Sequence, residues 1–335
     1  METMKKLVIT GEKTTEIIDA PKPEPFENWV LVKVHVFPLC TEYKGWCAGH
    51  GYPGHEAAGE VVAVAKPCKV EVGDRVAVMA FEPCGDCDAC RKGYYIHCEA
   101  GSPHTKYSDQ PYDTDTHVQY LLKQDWQLPK IPDNASYEMG SLACCGLGPT
   151  MGALDKMDVN SFDTVLITGL GPVGLGGVVN AKFRGAKVIG VDSVKYRQDK
   201  ALELGADLVL DPDDPKILEK IAEFGKPNAA MECSGDVPAQ RLCINATARL
   251  GKIAIIGEGG DFPVHASNDL IRTGKTIFGQ WHYNLNIIPK VMQVIAESPV
   301  VEKLITHTFP MSKVDEALAL DAEHVTGKIM IKPFE

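Results

Sequence analysis

The chain has 335 residues, a formal charge of -11, 44% hydrophobic residues and 24% charged residues. That length predicts two domains, and the composition is that of an ordinary soluble globular protein with no disordered or fibrous bias. Without a long basic run the acidic balance excludes a nucleic-acid surface, which needs clustered Lys and Arg.

The apolar stretch after Lys6 is too short for the core of a signal peptide, so the expectation is a cytoplasmic protein. Val30 to Val36 alternates as a half-buried strand does, and Glu60–Ala65 and Arg75–Ala80 are further β-branched runs, giving a β-rich first domain. Cys40 follows the first run and Gly54-His55-Glu56 precedes the second. A thiolate and an imidazole can therefore converge at strand ends, where a catalytic zinc would need about three protein ligands and one open position.

Pro83 to Asp115 is rich in Cys, Gly, Asp and Tyr without periodicity, and a loop of that length needs an organising element. Cys84, Cys87, Cys90 and Cys98 supply one, because four thiolates at this spacing can close a structural zinc site. An iron–sulfur pattern would bring the last Cys nearer and follow it with Pro, whereas Glu99 follows here. Eleven cysteines in a chain with no export signal favour metal ligation over disulfides.

After Leu147 short apolar strands are expected at Thr164–Thr168, Lys187–Asp192, Leu208–Asp211, Ala229–Cys233 and Lys252–Gly257. The segments between them have helical length, so the pattern is a parallel doubly wound sheet. The apolar run from Val165 to Ala181 is too broken by glycines, Pro172 and Asn180 to cross a membrane. Its first strand enters Gly169-Leu170-Gly171-Pro172-Val173-Gly174, whose glycines allow a tight turn, close approach to a pyrophosphate and close helix packing. Asp192 stands eighteen residues after Gly174, where a carboxylate accepts from ribose hydroxyls and repels a ribose phosphate, so NAD is favoured over NADP. Arg197 is a candidate adenosine-side contact. The alternation ends near Ile277. A helix is expected over Asn286–Glu297, a second one opened by a Ser312/Asp315 capping box, and a final strand at Lys328–Lys332.

Cys40, Gly54-His55-Glu56, Gly73-Asp74-Arg75-Val76, the four-cysteine lobe, the glycine turn, Asp192, Glu232-Cys233-Ser234-Gly235 and Gly327-Lys328 occur in an order that resembles the zinc-containing alcohol dehydrogenases of the medium-chain dehydrogenase/reductase family. The resemblance covers nearly the full length. It implies an α/β protein in which a GroES-like, β-rich catalytic domain (1–146 and 278–335, with a zinc lobe at 83–115) is interrupted by a Rossmann domain (147–277). It further implies NAD, two zinc ions per chain, a small-molecule alcohol or ketone as partner, no nucleic acid or membrane, and a homodimer or homotetramer.

Residue by residue, the resemblance implies a catalytic zinc on Cys40, His55 and Cys145, with Cys144 the alternative third ligand. Glu56 would support or transiently replace a water ligand, or form a salt bridge behind the metal. Cys233, Ser234 and Gly257 join the cofactor contacts. Where the family has Ser or Thr two residues after the first Cys, Glu42 stands here and Thr41 is one residue early. Either begins a proton relay, or Glu42 is a solvated partner of Lys44. Trp46, His50, Tyr112, Trp281 and His282 are candidate pocket residues. The implied reaction is hydride transfer between NAD and a secondary alcohol, with a polyol, sugar or cyclitol favoured. An aliphatic or amino alcohol, or a catalytically silent binding protein, is the alternative.

Overall fold

The structure is a computed structural model that describes residues 2–51, 54–81, 83–100 and 115–335. Strands β1 (Thr3–Gly11) and β2 (Thr14–Pro21) form an antiparallel hairpin. They are followed by β3 (Trp29–Pro38), α1 (Glu42–Ala48), β4 (Ala57–Ala63), β5 (Arg75–Val78), α2 (Asp88–Arg91), β6 (Tyr120–Gln124) and α3 (Tyr137–Ser141). Helix α4 (Gly148–Met157) leads into an alternating run: β7 (Thr164–Thr168), α5 (Pro172–Phe183), β8 (Lys187–Val191), α6 (Lys195–Glu203), β9 (Leu208–Leu210), α7 (Ile217–Phe224), β10 (Ala229–Glu232), α8 (Val237–Ala246), β11 (Lys252–Ile255) and β12 (Thr276–Gly279). The chain closes with α9 (Ile288–Glu297), β13 (Ile305–Pro310), α10 (Val314–Ala322) and β14 (Lys328–Lys332).

Strands β7 to β12 make one parallel sheet in the order β9-β8-β7-β10-β11-β12. The order reverses between β7 and β10, the switch point at which ligands usually bind in a doubly wound sheet. A second sheet runs β13-β14-β3-β4-β5, with β6 also on β3. First and last parts of the chain thus share one sheet, through the antiparallel pair β14·β3.

The alternation of Val30–Val36 predicted a strand with one wet face, but β3 is buried along almost its whole length. It is a central strand, hydrogen-bonded to β4, β6 and β14, and both its faces are packed: Val30, Val32 and Val34 lie in one core cluster, Trp29 and Leu31 in another with Phe26, Val62 and Leu122. The Val165–Ala181 run becomes β7 and α5. Its small residues let α5 approach closely: a Cβ on Gly176 would lie 1.8 Å from the Gly146 carbonyl oxygen. Among the described residues no helix is long and apolar enough to cross a membrane.

The Ser312/Asp315 capping box does not form. A 3-10 turn, Met311–Lys313, precedes α10, and its N-cap Lys313 makes no side-chain capping bond. Asp315 serves another purpose: its Oδ1 accepts from Trp46 Nε1 and from Thr15 Oγ1, both at 2.9 Å. That tie holds α1 and the hairpin on α10, and it places Trp46 in the core rather than on a pocket wall. Replacing Asp315 with Ala strands a buried indole N–H, so stability falls by about 1–3 kcal/mol. Urea denaturation tests this, with Asp315→Asn, which keeps an acceptor oxygen, losing less.

Candidate functional site

The crevice is built from backbone. Gly169 has φ 79° and a Cβ there would lie 2.7 Å from the Ser234 nitrogen, so only glycine lets the β7 and β10 loops approach this closely. Gly174 sits under the same turn, its absent Cβ 1.9 Å from the Gly169 carbonyl oxygen. Gly171 is the N-cap of α5 with Pro172 and Val173 opening the helix, which leaves its N-terminal N–H groups facing the crevice. Asp192, at the end of β8, accepts from Leu170 N–H at 2.6 Å and from Val194 N–H at 2.8 Å. The carboxylate therefore anchors the glycine turn to the neighbouring strand. Arg197 lies 4.0 Å from it and ends 3.7 Å from where a Gly171 Cβ would be, so the structure brings Gly171, Asp192 and Arg197 together at one rim.

Opposite, Glu232 is buried and organises the next loop, accepting from the backbone N–H of Ser234 and Gly235 and from the Ser234 hydroxyl. Cys233 is half-buried in that loop, and desolvation pushes its thiol well above the ordinary range. Gly257 packs against it, a Cβ there falling 2.2 Å from the Gly235 nitrogen. Glu232 was missed as a structural organiser by the sequence reading, although a carboxylate ending an apolar strand is a visible signal.

The second cluster forms where β3, β4 and the loop before α4 meet. Ligand atoms of Cys40, His55, Glu56 and Cys145 lie within 4.8 Å of one another. His55 Nε2 is 3.1 Å from Cys145 Sγ. The neighbouring Cys144 points away, its thiol donating to the Val78 carbonyl at 3.0 Å, and burial pushes it up to about 12. Cys145 is therefore the thiol at the cluster. A hydrogen bond from the Cys145 thiol holds Cys40 well below the usual thiol range against the opposing effect of burial, and the same bond raises Cys145. Burial alone would lower His55, but the hydrogen bond to Cys40 and its charge raise it to about 9.

Glu56 is inaccessible, and both its oxygens are engaged: Oε1 with Lys328 Nζ at 2.7 Å, Oε2 with Cys145 N–H at 3.0 Å. Lys328, also buried, donates in addition to the Leu39 carbonyl at 2.9 Å. Burial raises the Glu56 carboxyl while the Lys328 charge opposes that rise. Lys328 itself is held above its usual range by Glu56 and the nearby thiols, despite its burial. A lysine inside the apolar strand Lys328–Lys332 was legible as an oddity, but its partner was not.

Glu42 is buried, not a solvated partner of Lys44. Its Oε2 accepts from Cys40 N–H at 2.5 Å and its Oε1 faces His55 Nδ1 at 3.9 Å, whereas Thr41 is exposed. His50 is exposed beyond α1, and Tyr112 lies outside the described residues. His282 does reach the cluster, its Nδ1 3.7 Å from Cys145 Sγ and its ring edge-on to His55 at 5.4 Å, while Trp281 meets the His282 ring at 5.3 Å. Burial, helped by the charge of His55, lowers His282 to about 3 and keeps it neutral. Phe81, absent from the sequence candidates, meets both Trp281 and His282.

Cys84, Cys87, Cys90 and Cys98 likewise bring their sulfurs within 4.8 Å of one another. Cys87 and Cys98 sulfurs are 3.9 Å apart, against about 3.8 Å for two thiolates on a tetrahedral zinc with 2.3 Å bonds. Backbone N–H groups of Cys90 and Glu99 pull Cys87 down to about 6, and burial pushes Cys90 up to about 12. Both donor sets fit zinc: four thiolates closed upon themselves, and a sulfur–nitrogen–sulfur set beside a carboxylate.

A GroES-like barrel joined to a doubly wound sheet, with one closed and one mixed zinc-type donor set, defines a zinc-type alcohol dehydrogenase. Residues 27–133 match the alcohol dehydrogenase GroES-like domain and residues 172–297 the zinc-binding dehydrogenase domain. The chain is 31% identical, over 99% of both proteins, to an uncharacterized zinc-type alcohol dehydrogenase-like protein of Escherichia coli. It is 30% identical to the sorbitol dehydrogenase of Bacillus subtilis, over 99% of this chain and 98% of the relative. Among solved structures, an alcohol dehydrogenase of E. coli CFT073 complexed with NADH superposes with a TM-score of 0.87 at 25% identity, over 99% of this chain and 100% of the other. The chain belongs to the zinc-containing alcohol and polyol dehydrogenases of the medium-chain dehydrogenase/reductase family.

The buried Glu56–Lys328 pair gives a direct test of how the cluster is braced. Lys328→Met leaves a buried carboxylate without its counter-charge and lowers stability by about 3–5 kcal/mol. Thermal or urea unfolding checks it, and Lys328→Met combined with Glu56→Gln recovers part of the loss.

Proposed function

We propose that this protein oxidises a secondary alcohol with NAD, and reduces the corresponding ketone, with a polyol, sugar or cyclitol as the favoured substrate. The observation that carries the reading is the convergence of Cys40, His55 and Cys145 at a cluster physically joined to the cofactor crevice. Cys145 is followed by Gly146, whose carbonyl rests on Gly176 of α5, the helix that starts at the glycine turn. A ligand loop fixed against that helix keeps a bound substrate in a constant relation to a bound dinucleotide.

Cys40, His55 and Cys145 would hold the catalytic zinc, and Cys84, Cys87, Cys90 and Cys98 the structural one. When bound, zinc supplies Lewis-acid polarisation of the substrate oxygen and NAD supplies the hydride acceptor. The chain's own residues provide the frame. Glu42 sets a carboxylate 3.9 Å from the Nδ1 side of the His55 ring, the side on which a carboxylate commonly supports a ligating imidazole. Glu56 braces Cys145 through its N–H, and with both oxygens occupied it acts as a brace in preference to a ligand. Asp192 presents a carboxylate to the adenosine ribose, with Arg197 beside it.

We assign 1–146 and 278–335 to the catalytic domain, with its zinc lobe at 83–115, and 147–277 to the cofactor domain. Support for a polyhydroxylated substrate comes from the neutral imidazole of His282 at the cluster and from the likeness to a sorbitol dehydrogenase.

A panel of polyols, cyclitols, sugars and simple alcohols, followed by NADH absorbance, tests the reading. Turnover of polyhydroxylated substrates with NAD, lost in Cys40→Ser, is expected. Activity confined to simple aliphatic alcohols would remove the polyol preference, and no turnover by protein carrying both zincs would make the chain a silent relative. For the cofactor, Asp192→Ala weakens NAD by about tenfold, near 1.4 kcal/mol, and NADP by less. Titration of both nucleotides checks this, an equal loss counting against the ribose role.

A further inference from the structure

We propose that the four-cysteine lobe is a positioning device for substrate: closed on its metal, it sets an aromatic wall in which Phe81 and His97, on the lobe's two stems, meet Trp281 and His282 over the ligand cluster. The geometry of the wall stands on its own. Its effect on substrate rests on the dehydrogenase reading.

Phe81 stands three residues before Cys84, and His97 immediately precedes Cys98. The thiolate cluster clamps those two stems together, and the Cys84 N–H donates to Cys98 Sγ at 3.2 Å. Beyond the clamp, the Phe81 ring meets Trp281 at 4.9 Å and His282 at 4.8 Å, and His97 lies 6.4 Å from Trp281. A second contact is independent of the rings: Ile96 N–H donates to Asn284 Oδ1 at 3.4 Å, so the lobe's 3-10 turn docks on the segment that carries His282.

Backbone strain points the same way. Phe81 (φ 67°) and His282 (φ 43°) are both non-glycine residues in the left-handed region. Each such residue costs about 1–3 kcal/mol and persists only where its surroundings over-determine it, a circumstance concentrated at functional sites. The surroundings are present. Lys123 Nζ and Gln127 Nε2 both donate to the Phe81 carbonyl, at 2.7 and 2.9 Å, and Gln280 Nε2 donates to the His282 carbonyl at 2.8 Å. Trp281 remains 43% exposed, which leaves indole surface beside His282 for the apolar C–H face of a substrate.

The test compares Cys90→Ser, which removes a lobe ligand, with Asn284→Ala and His97→Ala, which leave all ligands in place. Four quantities are measured: zinc per chain, NADH affinity, acrylamide quenching of tryptophan emission, with the Trp281 component assigned through Trp281→Phe, and the KM and kcat for the best substrate. Cys90→Ser should keep one zinc and normal NADH affinity while Trp281 becomes more quenchable and KM rises by about tenfold with a smaller change in kcat, the size of one lost binding contact. Asn284→Ala and His97→Ala should move quenching and KM in the same direction with both zincs retained, and they decide alone should Cys90→Ser fail to fold. Unchanged Trp281 quenching in these variants would overturn the proposal. An absence of turnover in the unmodified protein, with the quenching change present, would instead overturn the dehydrogenase reading alone.

Discussion

The Glu56 carboxylate is the constraint on which the site depends. One oxygen takes the Lys328 ammonium and the other the Cys145 N–H, while Lys328 also holds the Leu39 carbonyl next to Cys40. Four segments distant in sequence, around 39–40, 55–56, 145 and 328, are thereby fixed within one buried network. A buried ion pair is rarely a net source of stability, because desolvation offsets most of the attraction. Its value here is specificity of position. With each polar atom committed, the three proposed ligands have few alternative arrangements, and the cost of the network is met by the buried apolar strands β3, β4 and β14 around it.

That network also explains how two halves of the chain make one site. The pairing of β14 with β3 brings the C-terminal strand, and Lys328 with it, beneath the ligand cluster contributed by the first half. On the other side the Cys145–Gly146 turn rests on α5 through Gly176, where no side chain larger than hydrogen fits. The Cys40–His55–Cys145 cluster and the glycine turn at the start of α5 are thus linked through backbone contact, which is shorter and stiffer than any side-chain link. Catalysis by orientation needs that stiffness, since displacements near 1 Å cost on the order of a hundredfold in rate.

Much of this was legible in the sequence because local chemistry demanded it. The glycine turn, Asp192 and the four cysteines each satisfy a requirement confined to a few residues, and the structure gathers them as separate local units. The strands of the parallel sheet were equally clear, because strands buried on both faces read as short unbroken apolar runs. What failed depended on distant neighbours. β3 alternates in sequence but packs on both faces, Val30, Val32 and Val34 in one core cluster and Trp29 and Leu31 against Phe26, Val62 and Leu122. Ser312 and Asp315 have capping-box spacing, yet Asp315 is taken by Trp46 and Thr15. Glu42 read equally as the start of a proton relay or as a surface partner of Lys44, and only the fold shows it buried and turned toward His55. Phe81 carries no local signal at all; its strained backbone and its partners Lys123 and Gln127 appear only in three dimensions.

The central claim is that Cys40, His55 and Cys145, braced by Glu56 and Lys328, hold a catalytic zinc distinct from the one in the four-cysteine lobe. Crystal diffraction collected at the zinc absorption edge on the zinc-loaded protein tests it most directly. The account predicts two anomalous peaks per chain, one among Cys84, Cys87, Cys90 and Cys98, the other bounded by Cys40, His55 and Cys145 with Glu56 still on Lys328. A single peak in the lobe, or a second peak coordinated by Cys144, would contradict it.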